Sequence, residues 1–151
     1  MPEPEIKLDN LSLTLNESFN LFANSHSNIN MKLLSQNTDI YFQFDSFQIT
    51  QAFNNIIKNS IEAVSNIPNP SIKINLFEKE NKINFSVTDN GIGIDDTKIL
   101  KLFEPYFTTK DKGTGLGLSI VKKIVEDHGG QIKIEKNKNM TGTTTSITFD
   151  K

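Results

Sequence analysis

Asp89-Asn90-Gly91-Ile92-Gly93-Ile94 and Gly113-Thr114-Gly115-Leu116-Gly117-Leu118-Ser119 bracket the stretch on whose reading the fold turns. Between them lie polar and aromatic residues, among them Phe103-Glu104-Pro105-Tyr106-Phe107-Thr108-Thr109-Lys110. Apolar alternation at Ile83, Phe85 and Val87 runs into the first glycine cluster, and the helical spacing of Leu118, Val121, Ile124 and Val125 leaves the second. Glycine admits positive φ and lets backbone N–H groups approach a ligand closely. A glycine turn that opens a helix also gathers orphan N–H groups at the positive end of the helix dipole, a good place for an anion. The stretch therefore predicts strand, glycine turn, loop, glycine turn, helix, with a loop able to close over a phosphorylated ligand. Two common phosphate motifs are excluded. Gly113, Gly115 and Gly117 are not spaced as a dinucleotide fingerprint, and no Gly-Lys-Ser/Thr occurs anywhere.

Working outward, 151 residues make a single domain, 1–151, that buries about 70% of its unfolded surface. A net charge of −2 offers no basic footprint, so no nucleic-acid partner is expected. Cysteine is absent, which excludes a disulfide frame and thiolate chemistry. No apolar run approaches a membrane span of about 20 residues, and no signal peptide is visible. All sixteen basic residues are lysine, which reads as the codon bias of an AT-rich genome.

Met1-Pro2-Glu3-Pro4 is an extended lead-in, because a residue before proline is pushed out of the helical region. A helix is expected over 13–23, with strands at Ile29, Met31 and Leu33 and at Ile40, Phe42 and Phe44. Asp45 or Ser46 caps the next helix, expected over 47–66. That helix carries two stripes: Ile49, Phe53, Ile56, Ser60 and Val64 at core spacing, and Asn55, Asn59 and Glu62 on another face. Polar stripes usually face water. Asparagine is a mediocre helix former, however, and lysine or glutamate would serve a solvated face better.

Pro68 and Pro70 end the helix, and a hairpin follows with its turn at 78–81. Asp89 continues the parity of Ile83, Phe85 and Val87, so it points toward the core, where an unpaired carboxylate is costly. Capping of the following turn is the alternative role. Residues 95–102 predict a short helix. Phe103 and Phe107 are expected to be exposed loop aromatics that need a partner surface, or else to pack beneath the loop. The Lys110 ammonium is placed to reach phosphate, the alternative being a solvated lysine. The last helix, from Gly115 or Leu116, ends at His128-Gly129-Gly130. Ile132 and Ile134, then Thr145, Ile147 and Phe149 after Gly142, alternate as a final hairpin. This order predicts an α/β two-layer sandwich, with helices on one face of a mixed, mainly antiparallel sheet.

The three strings at 89–94, 103–110 and 113–119, with Asn55-Ile56-Ile57-Lys58-Asn59-Ser60 upstream, resemble the ATP-binding catalytic domain of sensor histidine kinases. That family sits in the wider group with gyrase, Hsp90 and MutL. Its G1, F, G2 and N boxes correspond to those strings, and the resemblance covers essentially the whole chain. The strings at 103–110 and 113–130, with the Met1-Pro2-Glu3-Pro4 lead-in, look closest to nitrogen-regulation sensor kinases.

The resemblance implies a Bergerat-type ATP-binding fold, ATP and Mg²⁺ as cofactors, and transfer of the γ-phosphate to a histidine in two-component signalling. It implies that Asn59 ligates Mg²⁺ and that Asp89 takes the exocyclic amine of adenine. Asn55 and Lys110 stand as the catalytic pair. The nucleotide contacts extend over Asn55, Lys58, Asn59, Glu62, Asp89, Gly91, Gly93, Ile94, Phe103, Phe107, Thr108, Thr109, Lys110, Gly113, Thr114, Gly115, Leu116, Gly117 and Leu118. Residues 91–117 form an ATP lid, with 95–114 its mobile part. Residues 1–10 lead in from a missing dimerisation hairpin that bears the acceptor; a full-length small protein is the other possibility.

Partners implied are that hairpin and a downstream response regulator, with a homodimeric parent kinase, a monomeric fragment, a cytoplasmic site and a parent attached to the inner membrane. ATPases of the wider group carry glutamate where Asn55 stands, and an amide is a poor general base for water. His26 reads as solvated and His128 as structural, so neither is the acceptor. Three readings stay open: a histidine-kinase catalytic domain, a stand-alone ATPase or Ser/Thr-kinase relative, and a nucleotide-binding module acting by protein contact.

Overall fold

The alternating residues of 71–89 build the middle of a sheet. The computed structural model describes residues 2–35, 39–107 and 117–151. β4 (Ser71–Lys79) and β5 (Lys82–Asp89) form an antiparallel hairpin. Glu80 and Asn81 close it at φ 53° and 62°. Two such residues match the twist of the flanking strands, which is why the turn is tighter than the expected 78–81. β5 pairs antiparallel with β7 (Thr143–Asp150), and β7 with β6 (Gly130–Lys136). On the other side β4 runs parallel to β2 (Asn30–Ser35), giving the order β2-β4-β5-β7-β6.

Register aligns the inner side chains in ranks across the sheet. Leu76, Phe85 and Ile147 form one rank, and Ile74, Val87 and Thr145 another. Against them pack Leu11 and Leu15 of α1 (Leu11–Ser25), Ile49, Phe53, Ile56 and Ile57 of α2 (Ser46–Ala63), and Val121, Ile124 and Val125 of α4 (Gly117–Asp127). The Phe53 and Phe85 rings meet at 4.5 Å between centroids and anchor α2 to the central strand. The outer face carries Asn84, Ser86, Thr88, Thr144 and Ser146 instead. Helices on one face of a mixed, mainly antiparallel sheet are what the sequence order predicts.

Boundaries differ in places. The first helix is longer than 13–23 because Asn10 accepts from Leu13 N and starts it earlier. The second stops at Ala63, ahead of the expected 66. The two upstream strands do not pair with each other. β3 (Tyr41–Phe44) instead pairs antiparallel with β1 (Lys7–Asn10), so part of the lead-in is a strand. Its apolar residues Ile6 and Leu8 are exposed, which hides it from a search for buried alternation. In the 95–102 segment only α3 (Asp96–Ile99) is helical.

Asp45 ties three segments together. Its carboxylate accepts from Gln48 N at 3.0 Å as the α2 cap and from Glu5 N at 2.8 Å in the lead-in. Its own N–H donates to His128 Nε2 at 3.1 Å, while His128 Nδ1 donates to Ile124 O at 2.7 Å. His128 is thus a buried strut between the end of α4 and the start of α2. Burial pushes the Asp45 carboxyl up, but the N–H groups of Gln48, Glu5 and Phe47 outweigh it. The net position is below the ordinary 3.8.

The sign follows from linkage. A depressed carboxyl stabilises the fold above pH 3.8, and the contribution is lost as pH falls through the lower folded value. Asp45→Ala should cost about 0.5–2 kcal/mol at pH 7, as the loss of a helix cap does. Urea titrations of both proteins should show the difference shrinking at acid pH; a gap that is constant down to pH 3 would refute the charge contribution.

Candidate functional site

Asp89 is the last residue of β5 and the fourth inward-facing member of the series begun by Ile83, and it is 2% exposed. A carboxylate buried so deeply needs donors. Oδ1 accepts from Gly91 N at 2.9 Å and Thr143 N at 3.4 Å, and Oδ2 from Thr143 Oγ1 at 3.1 Å. The turn-capping role is therefore real, but it occupies only part of the group. An ionised carboxylate has about four lone-pair directions, so among the described residues Oδ2 keeps one for a donor from outside.

The strap after Asp89 is seated on the end of α2. Ile92 N donates to Ala63 O at 3.1 Å. Gly91 is buried there, and a Cβ on it would stand 2.6 Å from Ala63 O. Gly93 takes φ +76° and Ile94 is half-buried. Over the last two turns of α2, Asn55 and Asn59 are half-buried and Lys58 and Glu62 exposed. Gly117, the first residue of α4, lies beside Asn55, with its Cβ position 3.7 Å from Asn55 Oδ1. Gly117 and Leu118 are half-buried.

The G1-like strap, the asparagine face of α2 and the start of α4 are thus brought together. The amides of Asn55 and Asn59 and the Glu62 carboxylate are hard oxygen donors, which fit Mg²⁺, an ion that keeps waters and ligand phosphates in its shell. Among the described residues no three His, Cys, Asp or Glu side chains form a metal cage. A hollow between β2 and β4, lined by Leu33, Leu34, Asn75 and Phe77, has no part in this arrangement.

Thr108, Thr109, Lys110, Gly113, Thr114, Gly115 and Leu116 lie outside the described residues. Two expectations need correction. Phe103 and Phe107 are half-buried, not exposed, and Lys122 Nζ lies 5.4 Å from the Phe103 ring centroid. Among the described residues of this segment the exposed large apolar ones are Ile92, Leu100 and Tyr106. His26 is not simply solvated: it is the C-cap of α1, half-buried, with Nδ1 donating to Phe22 O at 2.9 Å. Sequence reasoning also missed Gly142 and Thr143. Gly142 holds φ +103° directly against Asp89, and Thr143 supplies two of its donors. Nothing local marks them, since the contact spans the chain from β5 to the final hairpin.

Residues 44–151 match the family model described as histidine kinase-, DNA gyrase B- and HSP90-like ATPase. Sporulation kinase E of Bacillus subtilis is 35% identical over 145 residues, covering 96% of this chain and 19% of that protein. A putative NtrY-like sensor histidine kinase of Rickettsia bellii is 40% identical over 109 residues, 72% of this chain and 18% of that one. The chain thus spans about a fifth of the length of the curated relatives it matches. The solved catalytic domain of the histidine kinase ThkA superposes with a TM-score of 0.87 at 36% identity, covering 97% of this chain and 96% of that one. ThkA has also been solved in complex with a response regulator protein, TrrA; that kinase is 32% identical, with a TM-score of 0.82, 97% of this chain covered and 42% of that one.

The Gly91 contact makes a direct prediction. Gly91→Ala forces the strap off α2 and should cost about 1–3 kcal/mol in denaturant unfolding, the usual range for overpacking. Unchanged stability would mean the strap is not seated on Ala63.

Proposed function

The chain belongs to the histidine kinase-, DNA gyrase B- and HSP90-like ATPase family, and on that premise we propose that it binds Mg-ATP and passes the γ-phosphate to a histidine of a separate helical hairpin. The observation that carries this reading is the buried Asp89 carboxylate, acceptor-only and with a lone pair to spare. Adenine offers it an exocyclic amine. Guanine would bring a carbonyl oxygen to the same place.

Residues 1–151 act as one catalytic domain. In it Asn55, Lys58, Asn59 and Glu62 line the phosphate side, and Gly91, Gly93 and Ile94 carry the strap past the base. The segment 91–117 is the lid, and its glycines together with Thr108, Thr109 and Lys110 receive the phosphates. Asn59 supplies a carbonyl oxygen to Mg²⁺, which when bound neutralises phosphate charge. Asn55 orients groups but takes no proton, which favours transfer to an external nucleophile over attack by water. In the transfer the Pγ–O bond to ADP breaks as a bond from the imidazole nitrogen to Pγ forms.

Residues 1–10 lead from the hairpin. Leu100 and Tyr106, exposed on the described part of the lid, take the docking role first considered for Phe103 and Phe107. A response regulator downstream, a homodimeric parent and a cytoplasmic site on a kinase anchored at the inner membrane complete the proposal. The complex of ThkA with TrrA supports the regulator as partner. Among the described residues no helix is long and apolar enough to cross a membrane.

Calorimetry should find ATP binding and GTP not. Asp89→Asn should weaken ATP about 10–100-fold, the value of a hydrogen bond to a charged group. Equal affinity for the two nucleotides would sink the base assignment.

Incubation with γ-labelled ATP should leave this chain unlabelled and its hydrolysis slow. Adding the hairpin of the parent kinase should place acid-labile phosphate on a histidine there. Label on His26 or His128, or none on the hairpin while ATP is bound, would overturn the transfer reading and favour a nucleotide-dependent contact module.

A further inference from the structure

Asn137, one residue past β6, reaches back to the strand that carries Asp89. Its Nδ2 donates to the Asp89 backbone O at 2.7 Å and to Thr141 O at 3.1 Å, and its Oδ1 accepts from Thr144 Oγ1 at 2.6 Å. Its backbone N donates to Gly142 O at 3.1 Å. Only one orientation of the amide serves, because the flipped form would set Oδ1 against two carbonyl oxygens. The proton count runs on into β5. Thr144 has one hydroxyl proton, and it is committed to Asn137. The 3.0 Å contact between Thr88 and Thr144 therefore takes its proton from Thr88.

This network sits where the sheet stops helping. The ladder between β5 and β7 ends at Thr88 and Thr144, so Asp89 lies one residue beyond it. Asn137 supplies the donor that the missing rung would have given to the Asp89 carbonyl. The same hairpin lays Gly142 on Asp89 so closely that a Cβ there would collide with the carbonyl and stand 2.9 Å from Oδ1. Thr143, which holds the carboxylate itself, is carried by that hairpin between Gly142 and Thr144.

We propose that Asn137 is a positioning residue for purine selectivity: by fixing the Asp89 backbone and the turn that bears Thr143, it aims the free Oδ2 lone pair. This rests on the reading that Asp89 takes the adenine amine. Rejection of a 6-carbonyl purine needs the carboxylate held in place. A carboxylate free to shift by the width of a hydrogen bond admits water between the two oxygens and loses the discrimination. Loss of Asn137 should therefore harm selectivity as well as affinity.

The test compares ATP with ITP, which carries a carbonyl where ATP carries the amine, by calorimetry on the 151-residue chain well below its unfolding temperature. Asn137→Ala should weaken ATP about 3–10-fold, the range for a lost neutral hydrogen bond, and narrow the ATP-to-ITP ratio. Thr144→Val, on the outer face of the sheet, removes the hydroxyl that orients the amide and should narrow the ratio too. Thr144→Ser keeps the hydroxyl and should restore it. If Asn137→Ala fails to fold, the Thr144 pair carries the test. An unchanged ratio in Asn137→Ala or Thr144→Val, with or without equal losses for both nucleotides, would overturn the inference and leave the hairpin a plain brace. Asp89→Asn, run in parallel, separates the failures. If it leaves ATP affinity intact the base assignment itself falls; if it weakens ATP while the Asn137 and Thr144 variants keep the ratio, only the positioning role falls.

Discussion

A carboxylate placed where a strand would otherwise put an aliphatic residue is the constraint around which this molecule is arranged. Asp89 occupies the inner-face position opposite Ile72, at the end of the series Ile83, Phe85, Val87. Among the described residues three donors hold it, and they come from two places far apart in the chain: Gly91, two residues on, and Thr143, in the last strand. Gly142 must be glycine-like to let that strand approach. The C-terminal hairpin is therefore as much a part of the site as the glycine strap, although it contributes no group of obvious chemistry.

The same economy recurs at the other end of the helical layer. His128 has both ring nitrogens engaged, one donating to Ile124 O and the other accepting from Asp45 N. It joins the end of α4 to the cap of α2. The two helices that carry the candidate site are thus tied at the Asp45 end through His128 and meet again where Gly117 faces Asn55. A pair held at both points presents Asn55 and Asn59 in a fixed relation to the start of α4.

How much of this was legible follows from the range of the signals. The parity of β5 placed Asp89 inward, and the period of α2 separated its asparagines from Phe53 and Ile56, because alternation and helical spacing are local. The glycines at 91 and 129 announced turns for the same reason; Gly129 does take φ +73°. What escaped was non-local or ran against the pattern. The lead-in leaves Ile6 exposed just before β1 and Leu8 exposed within it, so no buried alternation marks the strand. β2 and β3 sit next to each other in sequence and pair with different partners, a choice no short window contains. Phe103 looked like a docking residue because exposed loop aromatics are common there, yet it lies under Lys122. Thr143 and Asn137 carried no signal, since each acts on a residue dozens of positions away.

On the proposed reading, Asn55 sets the chemical direction of the arrangement. At that point on α2 a carboxylate would be an acceptor of protons, and water drawn to it would be activated. An amide is both donor and acceptor but holds no proton-accepting charge at neutral pH, so it orients without activating. It stands within reach of the first residue of α4, where helix N–H groups favour an anion. On the proposed reading, phosphate held there meets an amide at position 55 where a base would otherwise stand. On the proposed reading that division is functional: the domain supplies a well-held nucleotide and withholds the nucleophile, so hydrolysis stays slow until an imidazole from another domain arrives. The selectivity determinants around Asp89 and the restraint imposed by Asn55 then serve one end, keeping the phosphoryl group committed to a partner instead of to solvent.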